Sequence, residues 1–193
     1  SGNDFYDSPR LNHTGSQLCW QTWNHPNMPW DENELYLADI DSAGLLLKPT
    51  VITGGEQVSV FQPQWSPADI LHYIADDTGW WQLYRIINGK SEQLTNGDKE
   101  FGLPQWVFSQ SSYAFLNKHE IICSYQSNGQ STLAALSLSD TPELHDLETP
   151  WQQFSAITAD ENKIAFIAAS SVSFPQLISG HLNLNTNAPA SYS

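Results

Sequence analysis

Apolar and polar residues alternate along this chain in short runs separated by turn signals, and no stretch keeps a helical period for about ten residues. The first group of runs is "SPRLN" (8–12), "QLCWQTW" (17–23), "NELYLADI" (33–40) and "KPTVITGG" (48–55). The same order returns as "PQWSP" (63–67), "ILHYIAD" (70–76), "WQLYRII" (81–87) and "SEQLTNG" (91–97). It returns again as "PQWVF" (104–108), "EIICSYQ" (120–126), "STLAALSL" (131–138) and "PELHDLE" (142–148). A fourth group, "FSAITAD" (154–160), "KIAFIAAS" (163–170) and "PQLISGHL" (175–182), lacks a clear last member, because "NTNAPASYS" does not alternate. Leu35, Leu83, Leu133 and Leu177 hold the same place in the third run of each group, at intervals of 48, 50 and 44 residues.

Four short strands repeating at this period are the signature of propeller blades, since one such sheet cannot bury both of its faces alone. The pattern predicts an all-β chain of about four four-stranded antiparallel blades, near 5–53, 61–97, 101–148 and 151–184, within a single partial propeller domain. The incomplete last group favours an open arc of a larger propeller; a closed four-bladed ring is the alternative. Trp20, Trp65, Tyr84, Trp106 and Phe166 are the expected filling between blades. An arc leaves one face bare at each end, with Phe5, Tyr6 and Leu11 expected there at the start and Phe166, Phe174 and Leu177 at the end. Such bare faces predict self-association.

Composition narrows the partners. The 193 residues carry 7 Lys and Arg against 21 Asp and Glu, a net charge of −14. Phosphate-binding surfaces need clustered cations, so nucleic acid and anionic membrane are excluded as expected partners. No apolar run approaches the roughly 20 residues of a spanning helix. Cys19 and Cys123 sit in separate apolar runs and predict buried free thiols rather than a redox pair or zinc site. The six histidines are scattered, and "DIDSAG" (39–44) lacks the closing Glu of a calcium loop. No metal and no cofactor is therefore expected. The chain contains no G-x-S-x-G turn and no phosphate-binding glycine loop, so no catalytic residue is assigned. The start "SGNDF" shows no signal peptide and reads as a cut inside a longer protein, with a cytoplasmic location expected.

One stretch stands apart. "NHPNMPWD" (24–31) is too rigid and too aromatic for an ordinary hairpin turn. Pro26 and Pro29 fix local φ and reduce the cost of ordering the loop. It then presents Trp23, Met28 and Trp30, with Asn24, His25, Asn27 and Asp31 as polar partners. "TGWW" occupies the matching corner of the second group, so Trp80 and Trp81 are expected on the same side.

These stretches also carry a resemblance. "SPRLNHTGSQLCWQTWNHPNMPWDENELYLADI", "DDTGWWQLYRI" (76–86) and "EFGLPQWVFSQSSYAFL" (100–116) resemble, in order and spacing, the propeller of bacterial dipeptidyl aminopeptidase and acylaminoacyl-peptidase-like proteins of the prolyl oligopeptidase family. "HPNMPWD" and "FGLPQWVF" are its most selective parts, whereas Ser-Pro-Asp-Gly turns are shared with TolB-like propellers. The resemblance implies a noncatalytic, substrate-gating module of a serine peptidase acting on short peptides. It also implies a C-terminal α/β-hydrolase domain as partner, which this sequence lacks. A free-standing TolB-like scaffold that binds protein or ligand is the alternative. Trp23, Asn24, His25, Asn27, Met28, Trp30, Asp31, Trp80, Trp81 and Glu100 are the candidate contacts to substrate or to the hydrolase domain. The loop's other reading is a plug that caps one end of the blade stack.

Overall fold

The computed structural model describes residues 2–182 and 191–192. Among these there is no helix, and no helix long and apolar enough to cross a membrane. The strands form four four-stranded antiparallel sheets, each joining neighbours in sequence. The first sheet holds β1 (Phe5–Leu11), β2 (Gln17–Trp23), β3 (Glu34–Ile40) and β4 (Leu46–Gly54). The second holds β5 (Val60–Trp65), β6 (Leu71–Ala75), β7 (Gln82–Ile87) and β8 (Lys90–Gln93). The third holds β9 (Tyr113–Asn117), β10 (Glu120–Ser127), β11 (Gln130–Ser137) and β12 (Leu144–Asp146). The fourth holds β13 (Gln153–Asp160), β14 (Lys163–Ser170), β15 (Ser173–His181) and β16 (Ser191–Tyr192). The short connections and the alternation favour meandering hairpins over crossovers.

The chain forms two compact units, Ser1–Asn96 with Gly102–Ser109, and Gly97–Phe101 with Gln110–Ser193. In the first unit, Cys19 and Leu35 of one sheet pack against Val60, Leu71, Tyr73 and Tyr84 of the next. In the second, Ile122 and Leu133 pack against Phe154, Ile164, Phe166 and Ile178. The repeat reaches the level of ring pairs. Trp20 stacks on its cross-strand partner Tyr36 at 5.4 Å, and Tyr73 on Tyr84 at 5.3 Å. The first strand of three sheets breaks register at the same place, between Asp7 and Arg10, Phe61 and Gln64, and Ser155 and Thr158. Ser8, Gln62 and Ala156 take positive φ there. Bulges of this kind bend a strand and raise its twist, so these three sheets start with the same built-in kink.

Several expectations need correction. "PQWVF" (104–108) is not a strand; the first strand of the third sheet is β9, and Trp106 is 71% exposed instead of filling a blade interface. Phe166 is buried in the second unit's core, not exposed at an end, because the pleat places it opposite Ile178 on the packed face. Phe5, Tyr6, Leu11, Phe174 and Leu177 are exposed, as expected from the sequence. The fourth sheet does have a last strand: Ser191 and Tyr192 pair with His181 and Gly180. Backbone pairing of two residues leaves no alternation to read.

Cys19 and Cys123 are free and buried. Burial pushes the Cys19 thiol up to about 12 and raises that of Cys123 as well, so neither is a nucleophile at neutral pH.

Candidate functional site

The loop between β2 and β3 is tied down mostly by backbone and short polar side chains. The Asn24 side-chain oxygen accepts from the Asp4 N–H at 2.9 Å, and the Asp4 carboxylate accepts from the His25 N–H at 2.9 Å. Asn27 N–H donates to the Asn24 carbonyl at 3.0 Å. The Asp31 carboxylate accepts from Met28 N–H at 2.8 Å, while Asp31 N–H returns a bond to the Met28 carbonyl at 2.9 Å. The polar candidates therefore act mainly as turn formers. Trp23 stacks on Phe5 at 5.4 Å, Met28 is exposed, and Trp30 is half-buried.

Sequence reasoning missed the residues that hold the loop in place. The Pro29 carbonyl accepts from the Asn33 side-chain amide at 2.9 Å, from the Ser59 hydroxyl, and from the Gln105 amide at 3.3 Å. Asn33, itself buried, also brackets Val60: its amide donates to the Val60 carbonyl at 2.8 Å, and its oxygen accepts the Val60 N–H at 2.7 Å. Gly54 has φ +93° and lies so close that a Cβ there would meet the Asn33 carbonyl oxygen at 2.1 Å. Only glycine fits this approach.

Ser59 joins the two aromatic corners. Its hydroxyl holds Pro29, and its N–H donates to the Asp76 carboxylate at 2.7 Å, at the head of "DDTGWW". Segment 102–109 joins them a second time. Gly102 lies against the Trp81 ring, where a Cβ would come within 2.5 Å, and Phe61 meets that ring edge-on at 6.3 Å. Three residues on, Gln105 reaches Pro29, and Trp106 packs on Trp30 at 4.6 Å. "HPNMPWD" and "FGLPQWVF" are thus two halves of one clasp. Trp106, Val107 and Phe108 project from it, exposed. Trp80 is partly exposed at the neighbouring corner.

Beside the clasp lies a cleft of about 210 Å³ whose walls include Trp23, Asn24, Glu32, Glu34 and Glu56. Its three carboxylates would favour a positively charged group over an anion. Glu100 belongs to the other unit, where its backbone exchanges two 2.9 Å hydrogen bonds with Gln126. Among the described residues, no group of three or more His, Cys, Asp or Glu side chains could hold a metal ion.

No family model and no curated protein matches the chain. Solved structures do match it. A puromycin hydrolase shares 29% identity over 92% of this chain with a TM-score of 0.84. A puromycin-hydrolysing peptidase from Mycobacterium tuberculosis shares 26% over 100%, with a TM-score of 0.88. The chain is a propeller fragment similar to those of the prolyl oligopeptidase family. This propeller spans only 27% and 29% of the length of those two proteins. TolB from Acinetobacter baumannii, 17% identical over 94% of this chain and 42% of its own, shares the fold at a TM-score of 0.65.

Proposed function

We propose that this propeller is a noncatalytic gating module of a serine peptidase acting on short peptides, with the clasp as its contact surface. The observation that carries the proposal is the Trp30–Trp106 pair, in which half-buried Trp30, next to the Pro29 carbonyl and its three donors, supports an exposed Trp106. Exposed aromatics held without rotamer cost are the anchors that interfaces use. Met28, Val107 and Phe108 extend the apolar surface around the pair. The acidic cleft next to it suits the free amino end of a peptide. The two puromycin-hydrolysing proteins support this reading through their likeness over nearly the whole chain. The catalytic domain is the proposed partner of the clasp.

The test uses the full-length protein encoded by the parent gene. A fluorophosphonate probe should label a serine outside residues 1–193. Trp106→Ala should lower kcat/KM for short peptides by about tenfold or more, the effect of removing an interface aromatic, with little change in thermal stability because the ring is exposed. Labelling of a serine within residues 1–193, or unchanged kinetics in Trp106→Ala, would overturn the proposal. The TolB likeness supports a second reading, a propeller that only binds. A parent gene without a G-x-S-x-G turn would favour it.

A further inference from the structure

Two carbonyls at the base of the clasp attract more donors than they can hold. A backbone carbonyl oxygen has two lone pairs, and the Pro29 and Val60 carbonyls are already full without Gln105. The Asn33 amide fills one place on each, at 2.9 Å and 2.8 Å. The Ser59 hydroxyl fills the second place on Pro29, and the Gln21 amide the second on Val60. Asn33, Ser59 and Gln21 are buried, and together they form a closed polar knot. Gln105 is half-buried at its edge. Its amide nitrogen lies 3.3 Å from the Pro29 carbonyl, 3.3 Å from the Ser59 hydroxyl and 3.2 Å from the Val60 carbonyl, longer than every bond inside the knot. Bonds of this length are weak. The rest of segment 102–109 is held by rings: Trp106 packs on Trp30 at 4.6 Å, and Gly102 lies against Trp81. Among the described residues, the backbone of this segment makes one hydrogen bond, from the Trp106 N–H to the Pro104 carbonyl at 2.9 Å, and that bond is internal. Ser109, at its end, is held at φ +64°, in the left-handed region that is costly for residues other than glycine.

We propose that segment 102–109 is a releasable strap. It exchanges between a closed position, with Trp106 on Trp30 and Gln105 on the knot, and an open one in which the two rings part while the knot stays formed. Buried polar groups usually resist such an opening, because a group left unpaired is expensive. Here the carbonyls under the strap keep their full set of donors when Gln105 leaves. The Gln105 amide sits at the edge of the knot and turns to water. Lifting the strap therefore breaks one ring contact and three long bonds, breaks no backbone bond to a sheet, and frees Ser109 from its left-handed conformation. Asn33 and Ser59 go on holding Pro29, so Trp30 keeps its place when it is uncovered. The exchange is a property of this chain and does not depend on the function proposed above.

Fluorine NMR of this chain labelled with 5-fluorotryptophan tests the proposal, with lines assigned through Trp30→Phe and Trp106→Phe. The Trp106 and Trp30 lines should exchange at a common rate, seen as relaxation dispersion on the microsecond-to-millisecond scale or as a second pair of lines. Trp65, whose indole N–H donates to the Arg10 carbonyl at 3.0 Å, should show none. Gln105→Ala should raise the open fraction about threefold or more, because it removes the polar hold on the strap. Its melting temperature should stay close to that of the wild type, because the knot is complete without Gln105. Gln21→Met should lower the open fraction, since it frees a place on the Val60 carbonyl that Gln105 can fill at ordinary length. Should Gln21→Met disturb the sheet, Ser59→Ala frees the matching place on Pro29 and should act in the same direction. A wild type whose Trp106 line shows no exchange overturns the proposal. A Gln105→Ala variant that melts well below the wild type also overturns it, because Gln105 would then be a member of the knot. An open fraction that is unchanged or raised when a place on either carbonyl is freed overturns it too.

Discussion

His72 lies buried in the second sheet, where its Nδ1 bonds the Ile70 carbonyl at 2.9 Å. Burial lowers its pKa from 6.5 to about 4, and the Arg85 charge pushes in the same direction. The sign follows directly. Below pH 6.5 the unfolded chain takes a proton that the folded chain refuses, so stability present above pH 6.5 is lost as pH falls toward 4. A shift of this size corresponds to roughly 3 kcal/mol. The melting temperature should therefore drop between pH 6.5 and 4, and His72→Gln should flatten that part of the profile. A parallel drop in both proteins would show that His72 is not the cause. The carboxylates act lower down: hydrogen bonds from His13 and Arg85 hold Asp69 and Glu92 below the ordinary carboxylate range, so their losses begin only as they protonate. At this scale the sequence was a partial guide. The buried thiols could be read from their apolar runs. Asn33 could not, because nothing local marks an asparagine whose amide brackets Val60, 27 residues on.

Strands were legible wherever alternation was long. The "QLCWQTW" and "ELYLADI" runs became β2 and β3 at nearly the expected bounds. "PQWVF" failed because an aromatic, apolar run reads as a strand whether it pairs or not. Segment 102–109 instead spends its polar group, Gln105, on the Pro29 and Val60 carbonyls and leaves Trp106 to pack on Trp30. Its anchor at the other end is Gly102, pressed against the Trp81 ring. Gly102→Ala should push that ring aside, since a Cβ at 2.5 Å cannot be accommodated. Overpacking of this kind costs about 2 kcal/mol. The expected result is a lower melting temperature with a changed tryptophan emission spectrum. An unchanged spectrum would mean that segment 102–109 does not depend on this contact.

Over the whole molecule, charge is the least balanced property. With 21 acidic and 7 basic residues, repulsion works against the compact state. Raising the ionic strength from about 0.01 M to about 0.15 M shortens the screening length from roughly 30 Å to 8 Å. Dilute protein should melt at a higher temperature in the saltier buffer; a fall would show that attractive surface pairs dominate instead. The sequence by itself determined the number of sheets, their antiparallel order and the spacing of the repeat. Each of these follows from local alternation and turn chemistry, which a chain carries wherever it goes. Only the tertiary structure decided which of the equivalent leucines is bare, since Leu35, Leu133 and Leu177 look alike until a neighbouring sheet covers two of them. Only the tertiary structure joined "HPNMPWD" to "FGLPQWVF". That union rests on hydrogen bonds spanning 76 and 46 residues, from Gln105 to Pro29 and to Ser59, and such partners are set by how sheets stack, not by anything either stretch contains.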